Sequence, residues 1–344
     1  MEMKMEEMLV ASWYNMHSSV PPSHVHPPES RPGELLVASS KSIPVIDLGR
    51  CDHPPHDTLS LIMKAFQEYG FFQVINHGVS EELTEDTLNI FKEFHGMPPK
   101  EKMAESSKSP NGICKLYTSS EVYKKDAYQY WRDTMRHPCP PSGEYMEFWP
   151  QKLVRYREIV GKYTKELRKL GVRILKMLAE GLGMKEDYFC GELSGNPVIV
   201  SNHYPPCPQP NLTLGSGKHK DPTLITILLQ PRGINALQVL KDGQWIGVDP
   251  IPNAFVVNIG LLLQMISNGR LIGAEHRAVT NANTARTTVA YFINPKNECV
   301  MEPHISMITS SSPPLYKPIS YSEFRRNFFT KGSPIEADLL LLRS

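Results

Sequence analysis

The sequence predicts a mostly β protein with helices, in which a double-stranded β-helix (jelly-roll) core is flanked by α-helices. From residue 197 onward the chain changes to short β-rich runs separated by turns. Asp242-Gly243 between two of these runs is a two-residue hairpin signal, because both positions tolerate the positive φ of a type I′ turn. Ahead of them, residues 151–182 carry apolar side chains at three-to-four spacing, which is typical of a long helix packed on a sheet.

The shorter elements follow from the same periodicities. Helices are predicted at about 58–69 and 80–96, where apolar residues recur on one face. Strands are predicted where β-branched, aromatic and other apolar residues cluster in short runs bounded by turn residues. These runs are 43–48, 71–76, 198–204, 224–230, 237–240, 245–248, 255–259 and 286–293.

The domain organisation is predicted from composition and from the order of the elements. Residues 1–42 are rich in Pro, Ser and His and lack a hydrophobic period, so we expect an extended N-terminal arm. Strands occur on both sides of the long helix, which favours one domain over two. That domain, 43–344, would comprise an α/β part (43–196), a jelly-roll core (about 197–300) and a C-terminal helix and tail (301–344).

Composition excludes several classes of function. The 37 Lys and Arg side chains nearly balance the 36 Asp and Glu, so no strong field favours nucleic acid or an anionic membrane. No apolar run approaches the roughly 18 to 20 residues of a membrane span, and the acidic N-terminus is unlike a signal peptide. Six cysteines without a C-x-x-C pair indicate free thiols in a reducing compartment. We therefore expect a cytoplasmic monomer with a small-molecule partner.

One group of residues suggests a metal site. His219-Lys220-Asp221 is an H-x-D motif, of which roughly one is expected by chance in this composition, so its setting decides its value. It lies just before the 224–230 strand, and residues i and i+2 of extended chain share a face. His276 is a candidate third ligand from a distant strand. Two imidazoles and one carboxylate form the facial triad that suits iron(II), although any single histidine here is more often structural.

A second group could bind a carboxylate. On the predicted strand 286–293, Arg286 and Thr288 face the same way and offer a guanidinium and a hydroxyl. A guanidinium suits this role because its planar fork matches a carboxylate and keeps its charge. Asn202 and Tyr204 share a face upstream, whereas His203 points to the other face.

Together these motifs resemble the plant Fe(II)/2-oxoglutarate-dependent dioxygenases. The resemblance rests on Asn202-x-Tyr204-Pro-Pro-Cys-Pro, the H-x-D motif, His276-Arg-Ala-Val-Thr and Arg286-Thr-Thr, and it extends over nearly the whole chain through segments such as 43–47, 70–78, 131–133 and 316–324. Segments 213–217 and 313–318 are most similar to hyoscyamine 6β-hydroxylase-like members, and the iron-site strands are also similar to mugineic-acid dioxygenase-like members.

The resemblance implies a role for each group. His219, Asp221 and His276 would bind Fe(2+), Arg286 and Thr288 would bind the distal carboxylate of 2-oxoglutarate, and Tyr204 and Asn202 would contact it too. It also implies O₂ as co-substrate, ascorbate as activator, and release of succinate and CO₂. The iron and its co-substrate would carry the difficult chemistry, so no catalytic residues beyond the metal ligands are expected.

The chain departs from the family in two places. Thr288 stands where most members have Ser, which keeps the hydroxyl but adds a methyl group. Gly260 is followed by three leucines where many members have Gly-Asp.

Three alternatives remain open at this point. They are an ascorbate-dependent oxidase on the same fold, a non-catalytic jelly-roll binding protein, and a zinc hydrolase. The zinc hydrolase would need a separate general base, and the sequence offers no candidate.

The predicted substrate pocket is aromatic and mostly apolar. Its candidate walls are Leu116, Tyr117, Tyr128, Trp131, Phe292 and Tyr321. Such a pocket suits an alkaloid, a coumarin or a flavonoid, with hydroxylation as the default outcome. A buried ammonium needs a carboxylate or an aromatic face, so Glu121, beside Tyr117, would decide whether a cationic substrate is accepted.

Overall fold

The computed structural model describes residues 8–32, 43–49, 57–107, 112–119 and 128–331. Its helices, in chain order, are α1 (Thr58–Glu68), α2 (Glu81–Gly96), α3 (Pro99–Ser107), α4 (Tyr156–Gly181), α5 (Leu261–Ile266) and α6 (Tyr321–Lys331). Its strands are β1 (Val45–Asp47), β2 (Phe71–Ile75), β3 (Lys115–Thr118), β4 (Asp133–Pro138), β5 (Val198–Tyr204), β6 (Leu214–His219), β7 (Ile225–Leu229), β8 (Leu237–Lys241), β9 (Gln244–Gly247), β10 (Phe255–Ile259), β11 (His276–Val279), β12 (Arg286–Ile293), β13 (Val300–Met301) and β14 (Ile319–Ser320).

Two sheets form the core of the molecule. The larger has eight strands in the order β1-β2-β10-β7-β12-β5-β4-β3, and the smaller has four in the order β6-β11-β8-β9. Except for the parallel β1–β2 pair, their strands pair antiparallel. Neighbouring strands are mostly distant in the chain, as two facing sheets with crossover connections require.

Alternation divides the larger sheet into two faces with different roles. On β12, Val289, Tyr291 and Ile293 belong to the main hydrophobic core, which they share with α1, α2 and α4. Their neighbours Thr288 and Ala290 line a cavity on the opposite face. Because side chains of a strand alternate between faces, one sheet supports a helix-covered core and a site at once.

The predicted elements agree with this architecture, with some differences at their ends. Helix α4 begins at Tyr156, five residues after the predicted start, and ends at Gly181. Asp242 and Gly243 have φ of 52° and 75°, which confirms the hairpin turn between β8 and β9. Strands β3, β4, β6, β13 and β14 and helices α3 and α5 were not predicted, because their apolar patterns are short or interrupted by polar residues.

The described part of the N-terminal arm is a series of short 3₁₀ turns packed against the barrel. Leu9, Val10 and Trp13 are buried, and Trp13 packs edge-on against Trp131 with ring centroids 5.2 Å apart. The backbone N–H groups of Val10 and Ala11 donate to the buried carboxylate of Asp133 at 2.7 and 2.8 Å. These anchors are single residues, which is why no hydrophobic period reveals them.

Several histidines are buried in the neutral form. Burial, helped by the nearby charge of His26, Arg136 or Lys102, lowers the pKa of His24 to about 4, of His137 to about 3 and of His203 to about 4. His137 is satisfied by the Tyr156 hydroxyl at 2.9 Å. Burial raises the pKa of Asp133 to about 6. This shift favours the folded state as the pH falls, whereas the lowered histidine pKa values favour the unfolded state.

We expect the free energy of unfolding to decrease by at least about 2 kcal/mol as the pH falls from 6.5 to 5. The unfolded chain binds protons at these three histidines near pH 6.5, whereas the folded chain does not until about pH 4. The raised pKa of Asp133 acts in the other direction, but one carboxyl group does not offset three histidines. Urea unfolding followed by tryptophan fluorescence measures this. Equal free energies at the two pH values would contradict it.

Candidate metal and co-substrate site

The three predicted metal ligands meet at one end of the smaller sheet. His219 ends β6, His276 begins β11, and the two residues are register partners across the antiparallel pair. Asp221 follows β6 by two residues, and its Oδ1 lies 3.6 Å from Nε2 of each histidine. Two atoms that each lie about 2.1 Å from one ion are about 3 to 4 Å apart. The group therefore has the size of a metal site.

Backbone carbonyls orient both imidazoles. Nδ1 of His219 donates to the Gly217 carbonyl at 2.8 Å, and Nδ1 of His276 donates to the Ala274 carbonyl at 3.1 Å. A carbonyl can only accept, so the proton lies on Nδ1 and the lone pair of Nε2 points towards Asp221. This arrangement prepares a histidine to bind a metal through Nε2.

Two polar side chains satisfy one oxygen of Asp221 and leave the other oxygen for the histidines. Oδ2 accepts a hydrogen bond from Thr226 at 2.6 Å and one from Asn258 at 2.9 Å. Burial alone would raise the pKa of Asp221, but His276, His219 and Asn258 outweigh it and hold this pKa below its usual range. Asp221 is therefore an ionised carboxylate inside the protein.

Helix α5 supports the loop that carries Asp221. The Leu261 N–H donates to the Asp221 backbone carbonyl at 2.8 Å. At Gly260 an added Cβ would lie 2.6 Å from that same carbonyl oxygen, so only glycine permits the close approach. Leu261, where many family members have an acid, is buried in the core. This departure thus leaves the ligand loop intact.

The predicted carboxylate-binding residues form two adjacent cross-strand pairs. Arg286 is the register partner of Tyr204, and Thr288 is the partner of Asn202. All four line the same cavity as the histidines and Asp221. The Arg286 guanidinium carbon lies 5.3 Å from the centroid of the Tyr204 ring. His203, as predicted, points to the other face, where it stacks on His95.

Arg286 is a buried cation that has no acidic partner among the described residues. Its Nη2 donates to Oε1 of Gln230 at 2.7 Å, but within the described residues Nε makes no hydrogen bond and no ion pair involves this guanidinium. Burial lowers the pKa of Arg286, and Tyr204 partly counteracts this. Because an unpaired buried charge is costly, the site calls for an anionic ligand.

Three of the predicted pocket walls line this cavity, which has a volume of about 220 Å³: Tyr117, Phe292 and Tyr321. The structure does not bring the other described candidates into it. Leu116 faces the core, Tyr128 lies beside a separate hollow near the arm, and Trp131 is fully buried, with its indole N–H donating to the Pro205 carbonyl. Glu121 lies outside the described residues.

Sequence reasoning missed the residues that support the ligands. Thr226, Asn258 and Gln230 hold Asp221 and Arg286, and each belongs to or directly follows an otherwise apolar strand. The sequence did contain a signal for them, namely a polar residue within an apolar strand. Such a residue is expected to be buried, and a buried polar group needs a hydrogen-bond partner.

Comparisons with known proteins agree with this geometry. Residues 195–295 match the 2OG-Fe(II) oxygenase superfamily, and residues 43–152 match the N-terminal region of non-haem dioxygenases in morphine synthesis. The chain is 42% identical to hyoscyamine 6-dioxygenase of Hyoscyamus niger, over 95% of this chain and 96% of that protein. It is 40% identical to 2'-deoxymugineic-acid 2'-dioxygenase of Hordeum vulgare, over 89% and 91%.

A solved structure has the same fold. The crystal structure of JOX2 in complex with 2OG, Fe and JA superimposes with a TM-score of 0.84 at 34% identity, covering 95% of this chain and 94% of that one. The chain therefore belongs to the 2OG-Fe(II) oxygenase superfamily. It is a 2-oxoglutarate-dependent dioxygenase that oxidises a small molecule, and the predicted family, reaction class and jelly-roll core are confirmed. Among the described helices, none has both the length and the apolar character of a membrane span.

We expect Asn258→Leu and Thr226→Val each to weaken metal binding by about 10- to 100-fold, because each removes a hydrogen bond that holds Asp221. Anaerobic titration with Fe(II) or Mn(II) measures the affinity. Thr287→Val is the matched control, since this equally buried hydroxyl bonds His203 on the opposite face of the sheet. Unchanged metal affinity in both test variants would contradict the supporting role.

Proposed function

We propose that His219, Asp221 and His276 hold the iron(II) of this dioxygenase, and that Arg286, Thr288, Tyr204 and Asn202 bind 2-oxoglutarate. Two neutral imidazoles and one ionised carboxylate suit iron(II) and leave coordination positions open. Iron(II) bound with 2-oxoglutarate supplies the O₂-activating chemistry, with succinate and CO₂ as products of the co-substrate. The protein residues bind, orient and desolvate the reactants.

The observation that carries this assignment is the buried Arg286, which has no carboxylate partner among the described residues. It faces the same cavity as the three metal ligands. Gln230 and Tyr204 fix the guanidinium before any ligand arrives. A dicarboxylate with one end at the metal and the other at Arg286 would neutralise this charge.

Thr288 and Asn202 complete the binding surface. Thr288 is buried and lies two residues after Arg286 on β12, on the same face of the sheet. Asn202 is oriented by the Thr134 hydroxyl, which donates to Asn202 Oδ1 at 2.8 Å. The Asn202 amide N–H₂ group therefore remains available to an acceptor in the cavity.

The reaction we propose is hydroxylation of a small specialised metabolite such as an alkaloid, a coumarin or a flavonoid. Similar proteins include a hyoscyamine 6-dioxygenase, a 2'-deoxymugineic-acid 2'-dioxygenase and a flavanone 3-dioxygenase of Oryza sativa, which is 37% identical. The apolar cavity residues Val198, Val200 and Phe292 suit such compounds.

Three finer properties also belong to this proposal. Ascorbate would act as an activator, the chain would be a monomer, and its compartment would be the cytoplasm. The near balance of charge and the free thiols among the described cysteines support a protein of a reducing compartment. Turnover with and without ascorbate, light scattering after gel filtration, and imaging of a fluorescent fusion test the three in turn.

Replacing His276 by Ala should abolish succinate formation and lower the iron content while leaving the circular dichroism spectrum unchanged, because one of three ligands is lost without disturbing the core. The matched control is His203→Ala, which removes a buried histidine of the other sheet face. Near-normal succinate formation by His276→Ala would show that the metal assignment is wrong.

Replacing Arg286 by Lys should raise the KM for 2-oxoglutarate at least several-fold, since the charge remains but the planar fork and the bond to Gln230 are lost. Steady-state succinate formation at varied 2-oxoglutarate concentrations measures this. The metal affinity of the variant should stay near that of the parent. An unchanged KM for 2-oxoglutarate would rule out this role for Arg286.

A further inference from the structure

The cavity extends beyond the metal and co-substrate residues to a second cationic region. Arg136 of β4 and Arg325 of α6 both line it, and both are half-buried. Tyr321, whose side chain is buried, lines the same cavity. The charges of Arg325 and Arg136 both act on the Tyr321 hydroxyl, although burial is the larger effect and raises its pKa to about 12. Both arginines and this hydroxyl therefore belong to one cavity and are close enough to interact electrostatically.

Neither guanidinium has an acidic partner in the described part of the chain. Arg325 instead lies over the Phe329 ring, with 5.5 Å from its guanidinium carbon to the ring centroid. Its neighbour Arg326, which lies outside the cavity, is paired with Glu323 on the same helix. Among the described residues, the arginine on the outer face of α6 is therefore paired with an acid, and the arginine on the face that lines the cavity is not.

The lining as a whole has an excess of positive charge. Among the described lining residues the only carboxylate is Asp221, which belongs to the metal group, whereas five are arginines. Three of the five make hydrogen bonds to other described residues: Arg286 to Gln230, Arg277 to Gln238, and Arg132 to the Ser119 carbonyl. Arg136 and Arg325 line the cavity without such a side-chain hydrogen bond in the described part of the chain.

This region is separate from the 2-oxoglutarate residues. Register places Arg136 opposite Val200, and Val200 opposite Ala290, four residues along β12 from Arg286. At about 3.3 Å per residue and 4.8 Å per strand, the Arg136 and Arg286 Cα atoms are roughly 16 Å apart. Gln230 and Tyr204 also hold Arg286 at its own end. The two arginines therefore start from different parts of the cavity wall, and Arg286 is held at its own part by these partners.

Helix α6 turns one face towards this region. Tyr321, Arg325, Phe328 and Phe329 all line the cavity, and their spacing places them on one side of a helix. The face is apolar apart from one charge and one hydroxyl. It fits a ligand that is mostly hydrocarbon and carries a single anionic group.

We propose that Arg136, Arg325 and the Tyr321 hydroxyl form a subsite for a carboxylate of the primary substrate, so that the enzyme acts on an organic acid and not on an amine. This rests on the proposed function, since it assigns 2-oxoglutarate to Arg286, and it narrows the proposed metabolites to those that carry a carboxylate, which removes the cationic alkaloids. A carboxylate accepts charge-assisted hydrogen bonds from both guanidinium groups and one from the phenol. A cationic alkaloid would place its ammonium against two unpaired arginines.

The test compares matched probes by calorimetry on the full-length protein loaded with Mn(II) and saturating 2-oxoglutarate, so that no turnover occurs and the co-substrate site is filled. The probes are 3-phenylpropanoate, 3-phenylpropanamide and 3-phenylpropylamine, together with the cyclohexyl counterpart of each. We expect each acid to bind at least about tenfold more tightly than its amide, and each amine to bind most weakly. Acids that show no preference over their amides would overturn the proposal.

Single substitutions test which arginines produce the preference for acids over amides. Arg136→Gln and Arg325→Gln should each reduce the acid-to-amide preference at least about tenfold, whereas Arg326→Gln, the exposed neighbour, should keep it. An acid preference that survives in both test variants would also overturn the subsite. The affinity for 2-oxoglutarate should stay unchanged in all three variants and fall only in Arg286→Gln. Failure of the parent protein to bind 2-oxoglutarate would instead refute the proposed function.

Discussion

The buried carboxylate of Asp221 imposes the constraint on which the rest of the site depends. An ionised acid inside a protein is costly unless it is paired and hydrogen-bonded. Here the β6–β11 register brings two imidazoles to Oδ1, while Thr226 and Asn258, from two strands of the other sheet, satisfy Oδ2. The metal group is therefore also a link between the two sheets. Its geometry can persist only if both sheets keep their relative position.

The larger sheet keeps that position because its two faces are independent. Val289, Tyr291 and Ile293 pack under the helices, and the alternate residues of β12 face the cavity. Polar residues can thus be placed on the cavity face without interrupting the helix-covered core. Tight packing on the core side is visible at Gly171 of α4, where an added Cβ would meet Ile227 and Ile293. Rigid packing on one face holds the functional groups on the other.

Much of this was predictable from the sequence, and the reasons are specific. Short apolar runs bounded by turn residues predicted β5, β10 and β12, and the alternation of side chains along a strand predicted which residues of β5 and β12 share a face. The H-x-D motif and Arg286 were predictable because their chemistry restricts the residue types. Arg136 and Arg325 were not, since a lone arginine on a strand or helix is usually solvated. Only the register of β4 with β5 and the docking of α6 bring these two arginines to one cavity.

The predictable and the unpredictable site residues lie on different elements of the fold. The metal and co-substrate groups come from strands β5, β12 and β11, each of which has a neighbour on both sides, and from the end of β6 and the loop that follows it. The proposed substrate groups come from β4, next to the edge strand β3, and from α6, four residues of which line the cavity. Edge strands and terminal helices tolerate substitution better than central strands, because fewer neighbours depend on them. On this reasoning, substrate choice in this chain should follow the charge carried by β4 and α6 and not the metal ligands.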